Sequence, residues 1–243
     1  MQVVVNERFL ERRARISRLA TWGGLAVLLV GFVISLAIEP LTQWLEPQWT
    51  MALTWILMIG GISAFNTGRF YNVRWVMRPR EDEVLAHGLK GLDHRYRFLN
   101  YMPNTPEALH VLVGPAGVFV LHARRQDGEI TNRGDKWRRK LGITAILRSF
   151  FEGAFGNPTQ DALRETGAVR KLLASEFSEE ELTQLPFQPL IVFMDPRAKL
   201  TVSEPAVPVM TPKELKDFAR KLRKESRLSQ AQLERIAAAY GLA

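Results

Sequence analysis

Four histidines, His87, His94, His110 and His122, fall within one short stretch of a 243-residue chain that has no others and no cysteine. Imidazoles titrate near neutral pH and bind metals. Glu83 and His87 stand at i and i+4, so a helix would turn both the same way. With His122 they would make a two-histidine, one-carboxylate metal set. Histidines at such spacings are more often surface or structural groups, because spacing alone is weak support. The expectation is therefore no metal and no other cofactor. A second group is basic: Arg124, Arg125, Arg133, Lys136, Arg138, Arg139 and Lys140, gathered around Trp137. Cations beside an aromatic ring suit the phosphates of nucleic acid or the headgroups of an anionic inner leaflet, and a plain solvated face is the third reading.

Other chemistry is excluded by what is missing. Without Cys there is no thiolate nucleophile, no Cys-ligated zinc and no iron–sulfur centre. Gly114 and Gly117 are not part of a GxxxxGK[ST] or GxGxxG loop, which removes nucleotide binding. There is no G-x-S-x-G and no H-E-x-x-H.

The elements around these residues divide the chain. Residues 19–38 are twenty residues without a charge, long enough to span a hydrocarbon core of roughly 30 Å. Residues 49–65 are a second, shorter uncharged run. Arg8, Arg12, Arg13, Arg15 and Arg18 precede the first, and Arg69, Arg74, Arg78 and Arg80 follow the second. The connection over 39–48 has Glu39 and Glu46 and no cation. The positive-inside rule places both termini in the cytoplasm and this loop outside. Five of the six tryptophans belong to this portion, as expected of interfacial anchors. Gly60 and Ala64 are candidates for close helix packing. The net charge of +8 first suggests an acidic partner. Most of it, however, flanks the apolar runs, where it reports topology.

From Glu81 the pattern becomes soluble α/β. Leu85, Leu89 and Leu92 have helical spacing. Tyr96 and Phe98 alternate with arginines. His110–Val113 and Val118–Arg124 flank a GPAG turn, reading as a β-hairpin. Residues 129–131 suggest a short strand, and 142–155 give no clear pattern. Asn157-Pro158 opens a helix with Leu163, Val169, Leu172 and Leu173 as apolar positions. Leu190–Met194 reads as a fully buried strand, and 206–210 as another. Thr211 with Glu214, and Ser229 with Gln232, are capping boxes that start two more helices.

The segment ALHVLVGPAGVFVLHAR (108–124), with Gly128-Glu-Ile130, Trp137 and Asn157-Pro158-Thr-Gln160, resembles the nuclease-related domain known as NERD. The resemblance covers about 81–220, and its most specific piece is the hairpin carrying Gly114, Pro115 and Gly117. It implies a restriction-endonuclease-like α/β fold, a central mixed β-sheet flanked by helices. In that superfamily an Asp and a Glu hold a divalent metal and a Lys assists. The corresponding positions here hold Leu109, His122 and Arg124, while Glu83 falls where a helical Glu is common. If 114–117 is the loop, Leu109 faces His122 and Arg124 shares their face. His110 then points away. Leu cannot bind metal, and Arg stays protonated.

The sequence therefore implies a basic segment (1–18), a transmembrane hairpin (19–38 and 49–65, joined by 39–48) and a basic linker (66–80). An α/β domain (81–225) and a C-terminal helix (226–243) follow. The expected function is binding or scaffolding by a membrane-anchored, catalytically inactive nuclease-related domain in a bacterial inner membrane. The alternatives are a tethered nuclease with a rearranged site, which alone would need a divalent metal, and a membrane-organising module with a protein partner. The expected partners are the bilayer, its anionic lipids and nucleic acid.

Overall fold

The computed structural model describes residues 1–36, 46–140, 155–222 and 228–242. Most of the expected external loop, the unclear stretch over 142–155 except Phe155, and residues 223–227 lie outside it. The chain forms two units: Glu7–Arg80, and Met1–Asn6 together with Glu81–Ala243.

The first unit is a pair of helices, α1 (Glu7–Leu36) and α2 (Pro47–Tyr71), the second running into a π-turn over Asn72–Val76. Both are long and apolar enough to cross a membrane. Helix extends well past the apolar runs, so the basic stretch before the first run and part of the expected linker are helical. The buried residues of α1 are Leu10, Ser17, Gly24 and Gly31, each seven apart. Gly61 and Gly68 on α2 are also seven apart and buried. This is the spacing of a coiled-coil seam, here built from small residues so that two backbones can touch. A Cβ at Gly24 would lie 2.5 Å from the Phe65 nitrogen, and one at Gly61 2.7 Å from Leu28 Cγ. Ser17 Oγ donates to the Gly68 carbonyl at 3.0 Å. Gly60, expected at this seam, has nothing within 4 Å of its Cβ position. One residue of helix is about 100° of rotation, and that turns it outward. Trp22, Leu29, Phe32, Trp55, Ile56 and Ile59 are exposed on the outer surface of the pair.

The second unit is built on a six-stranded mixed sheet, ordered β1-β2-β3-β4-β7-β9. Its strands are β1 (Gln2–Val5), β2 (Arg97–Asn100), β3 (His110–Gly114), β4 (Gly117–Arg124), β7 (Phe187–Phe193) and β9 (Val209–Met210). A smaller sheet, β6-β5-β8, comprises β5 (Gly128–Arg133), β6 (Lys136–Lys140) and β8 (Ala198–Ser203). The helices are α3 (Glu81–Gly88), α4 (Pro158–Leu173), α5 (Glu179–Gln184), α6 (Leu215–Leu222) and α7 (Gln230–Ala239). The first residues of the chain, read from sequence only as basic leader, supply edge strand β1, parallel to β2.

The alternation of β3 and β4 fixes two cores. Val111, Val113, Val118 and Val120 pack with Val169 and Leu173 of α4 and Ile236 of α7. Leu112, Phe119 and Leu121 pack with Leu85 of α3 and Leu215 and Ala219 of α6. Leu163, expected in the core, is exposed, and Ala162 is buried in its place. In the hairpin, Gly114 lies under Tyr96, whose ring would be 2.1 Å from an added Cβ. Gly117 has φ +132°, which favours glycine, and would press on the Pro186 carbonyl. Arg235 of α7 clamps α5 through both oxygens of Glu181, at 2.7 and 3.1 Å.

Two outcomes follow from this packing. Gly24→Leu and Gly61→Leu each lose about 1–3 kcal/mol through overpacking; Gly23→Leu and Gly60→Leu, where the space is open, do not. Thermal unfolding in detergent separates the two pairs. The Arg235 guanidinium, followed by the Ser178 N–H, holds the Glu181 carboxyl down from 4.5 to about 2. A depressed carboxyl contributes fully above its unfolded pKa and loses that contribution as pH falls through the folded value. The clamp therefore persists from neutral pH to 4.5 and fails towards 2. A carboxyl titration of Glu181 by NMR with its midpoint at the ordinary 4.5 would contradict it.

Candidate functional site

The hairpin register pairs Val113 with Val118 and Val111 with Val120. The paired residues end there; continued by two positions, the same register would set Leu109 opposite His122. β4 in turn pairs in parallel with β7, placing His122 beside Ile191 and Arg124 beside Phe193. His122 and Arg124 therefore project on the face covered by α4.

The chain positions α4 with several local devices. Asn157 caps it, its side chain accepting from the Thr159 and Gln160 backbone N–H groups, with Pro158 in the first turn. Trp137 donates from its indole N–H to Thr159 Oγ1 at 2.8 Å and packs against Phe193. The helix then presents Asp161 and Glu165, one turn apart, to β4. His122 Nδ1 meets Glu165 Oε1 at 2.7 Å. A carboxylate only accepts, so Nδ1 donates. An Arg124 nitrogen lies 3.4 Å from His122 Nε2, which also stands 3.9 Å from Asp161 Oδ2. The same guanidinium stands 3.7 Å from Asp161, donates to the Phe155 carbonyl and lies 5.0 Å over the Phe155 ring. Arg164 holds Asp161 from outside at 2.8 Å. The Arg124 side chain is 9% exposed and that of His122 11%. The arrangement is a contact chain, Arg124 to His122 to Glu165 with Asp161 beside it, in a mostly enclosed place.

His110 lies on the other face. It is buried between Asn100 Oδ1 at 2.8 Å and Glu81 Oε2 at 3.4 Å. Arg125 reaches Glu81 at 3.1 Å, and the Tyr101 hydroxyl donates to Asp82 at 3.0 Å. Burial, then the charges of Asp82 and Glu81, push the Tyr101 phenol up. Thus α3 sets Glu81, rather than Glu83, against the hairpin. Glu83 and His87 belong to that helix, and the sheet separates α3 from His122. The Glu83/His87/His122 set is therefore not assembled. His87 is exposed, and His94 is a loop residue held by Asp93 at 2.8 Å.

The basic run is likewise divided. Period-two alternation along β6 turns Trp137 and Arg139 inward and Lys136, Arg138 and Lys140 outward. Arg139 makes a buried pair with Asp127 at 2.9 Å. Arg124 and Arg125 are committed as described, so these three arginines do not belong to a surface patch, and Trp137 is not its aromatic. Sequence reasoning missed Asp161 and Glu165. Their i, i+4 spacing in a capped helix was the available signal.

Residues 80–194 match the family model described as the nuclease-related domain, NERD. The helices followed by a mixed sheet flanked by helices agree with a restriction-endonuclease-like fold. No curated protein and no solved structure matches the chain.

Replacing Arg124 by Met leaves His122 and Asp161 without their enclosed cation. The expected cost is about 3 kcal/mol, the scale for breaking a buried pair. Comparison of thermal unfolding with the exposed control Arg138→Met checks it.

Proposed function

We propose, from the premise that residues 80–194 are a nuclease-related domain, that this protein is a membrane-anchored cytoplasmic module that binds or scaffolds and does not cleave nucleic acid by the metal-dependent route. The supporting observation is the Arg124 guanidinium, enclosed between His122, Asp161 and Phe155; the resemblance gives its position to the assisting lysine. The fold family implies a divalent metal, and this donor set does not suit one. Leu109 offers no ligand atom. A hard cation prefers oxygen, but Asp161 already faces two guanidinium groups and Glu165 accepts from His122. An arginine cannot become the general base that a pKa-shifted lysine can be.

The anchor reading is supported by two helices of spanning length whose apolar side chains face outward. It is supported further by arginines on both outer flanks and none in the connection. A single specific observation favours a rearranged nuclease instead: Asp161 and Glu165 bring two carboxylates to the site. They would serve only if Arg124 released Asp161 and His122 released Glu165.

The purified full chain is expected to leave plasmid and single-stranded DNA intact with Mg²⁺ or Mn²⁺. Cleavage that disappears in both His122→Ala and Asp161→Ala would establish the rearranged nuclease. The triple change Leu109→Asp, His122→Glu, Arg124→Lys restores oxygen ligands and is expected to bind Mn²⁺, read by electron paramagnetic resonance, where the native chain does not.

A further inference from the structure

The smaller sheet has one face turned to the core and one to solvent. Ile130, Trp137 and Leu200 look inward, against Ile191 and Phe193. The outward face is a lattice that the register defines. Lys140, Glu129 and Lys199 form one row; Arg138, Thr131 and Thr201 the next; Lys136, Arg133 and Ser203 the third. All nine residues are exposed. Five are cations and one is an acid. Among the described residues Arg133, Lys136, Arg138 and Lys199 make no ion pair, and Lys140 reaches only Glu129, at 3.9 Å. Lys199 joins from a strand far along the chain, through parallel pairing with β5. Backbone pairing and an inward core fix the spacing, so the charges are displayed at set positions on one face of the sheet.

We propose that this face is a docking surface for the anionic lipid headgroups of the leaflet to which the chain is anchored; the inference rests on the anchor reading above. Charge complementarity is the first argument: unpaired cations in excess meet a surface of phosphates. The second is covalent. The domain joins the helical hairpin at two points, where β1 ends at Val5 and α1 begins at Glu7, and where the hairpin unit ends at Arg80 and α3 begins at Glu81. Two tethers keep it at high effective concentration beside the leaflet, which lets weak individual contacts suffice. A nucleic acid strand is the rival occupant. Single-strand binding faces combine cations with aromatic rings on which bases stack. Here the outward lattice carries no aromatic residue, because Trp137 is turned to the core.

The chain has no cysteine, so Thr131→Cys gives one reporter at the centre of the lattice. The full chain carrying it is reconstituted into nanodiscs of phosphatidylcholine with and without phosphatidylglycerol, and its reaction with a neutral maleimide is timed. Phosphatidylglycerol is expected to slow the reaction at least about fivefold, the effect of one basic residue at an anionic surface. High salt removes the slowing, as does the triple change Lys136→Gln, Arg138→Gln, Lys140→Gln. A control cysteine at exposed Ser175, at the end of α4, keeps one rate throughout. Equal rates at position 131 in the two lipids overturn the proposal. Slowing by added DNA or RNA but not by phosphatidylglycerol overturns it in favour of nucleic acid. A chain that fails to enter nanodiscs refutes the anchor and takes this inference with it, a result distinct from a chain that enters but shows no lipid effect.

Discussion

The parallel ladder between β4 and β7, from Val118 opposite Phe187 to Arg124 opposite Phe193, is the contact on which the α/β unit depends. It joins the GPAG hairpin to the second half of the chain and fixes the faces of every side chain between. Through it Val118 and Val120 reach α4, Phe119 and Leu121 reach α3 and α6, and His122 and Arg124 lie over α4 beside Ile191 and Phe193. A shift of one residue would exchange these sets. His122 would then face an apolar core, and Leu121 and Ala123 would face Asp161 and Glu165. Burial on both faces therefore enforces the register, and the register enforces the site.

Polar groups on the two faces of the sheet are kept apart by this alternation. On one, His122 donates to Glu165, and the Arg124 guanidinium lies against both His122 and Asp161. On the other, Glu81 bridges His110 and Arg125, and Asp82 accepts from Tyr101. Enclosed charges of this kind are held by partners because desolvation without them is costly. The same reasoning explains why Arg139 is drawn to Asp127 while its neighbours Arg138 and Lys140 stay in water. In a sequence the three look alike; on a strand they alternate.

Local signals made much of the fold legible. The hairpin was readable from its apolar alternation and its glycines, and the register between 113 and 118 followed from loop length alone. Asn157-Pro158 and Ser229 with Gln232 marked helix starts because capping is a short-range interaction. Less legible were elements whose partners are distant. β1 has four residues and acquires meaning only beside β2, some ninety residues on. β8 is stabilised by pairing with β5. Gly61 rather than Gly60 lies in the helix seam because the partner helix sets the phase, and both glycines look equivalent in sequence.

Residue types and short spacing were enough to divide the chain into an apolar helical pair and an α/β domain, to show the charge asymmetry of the flanks, and to bring Leu109, His122 and Arg124 to attention. These are properties of residue type and short spacing, and they need no partner to be true. Tertiary structure alone decided that Asp161 and Glu165 meet His122 and Arg124. It also decided that Glu81 rather than Glu83 abuts the hairpin, and that seven basic residues separate into buried pairs and one outward lattice completed by Lys199. Those outcomes depend on which face a side chain takes and which strand or helix arrives against it. Long-range packing sets both.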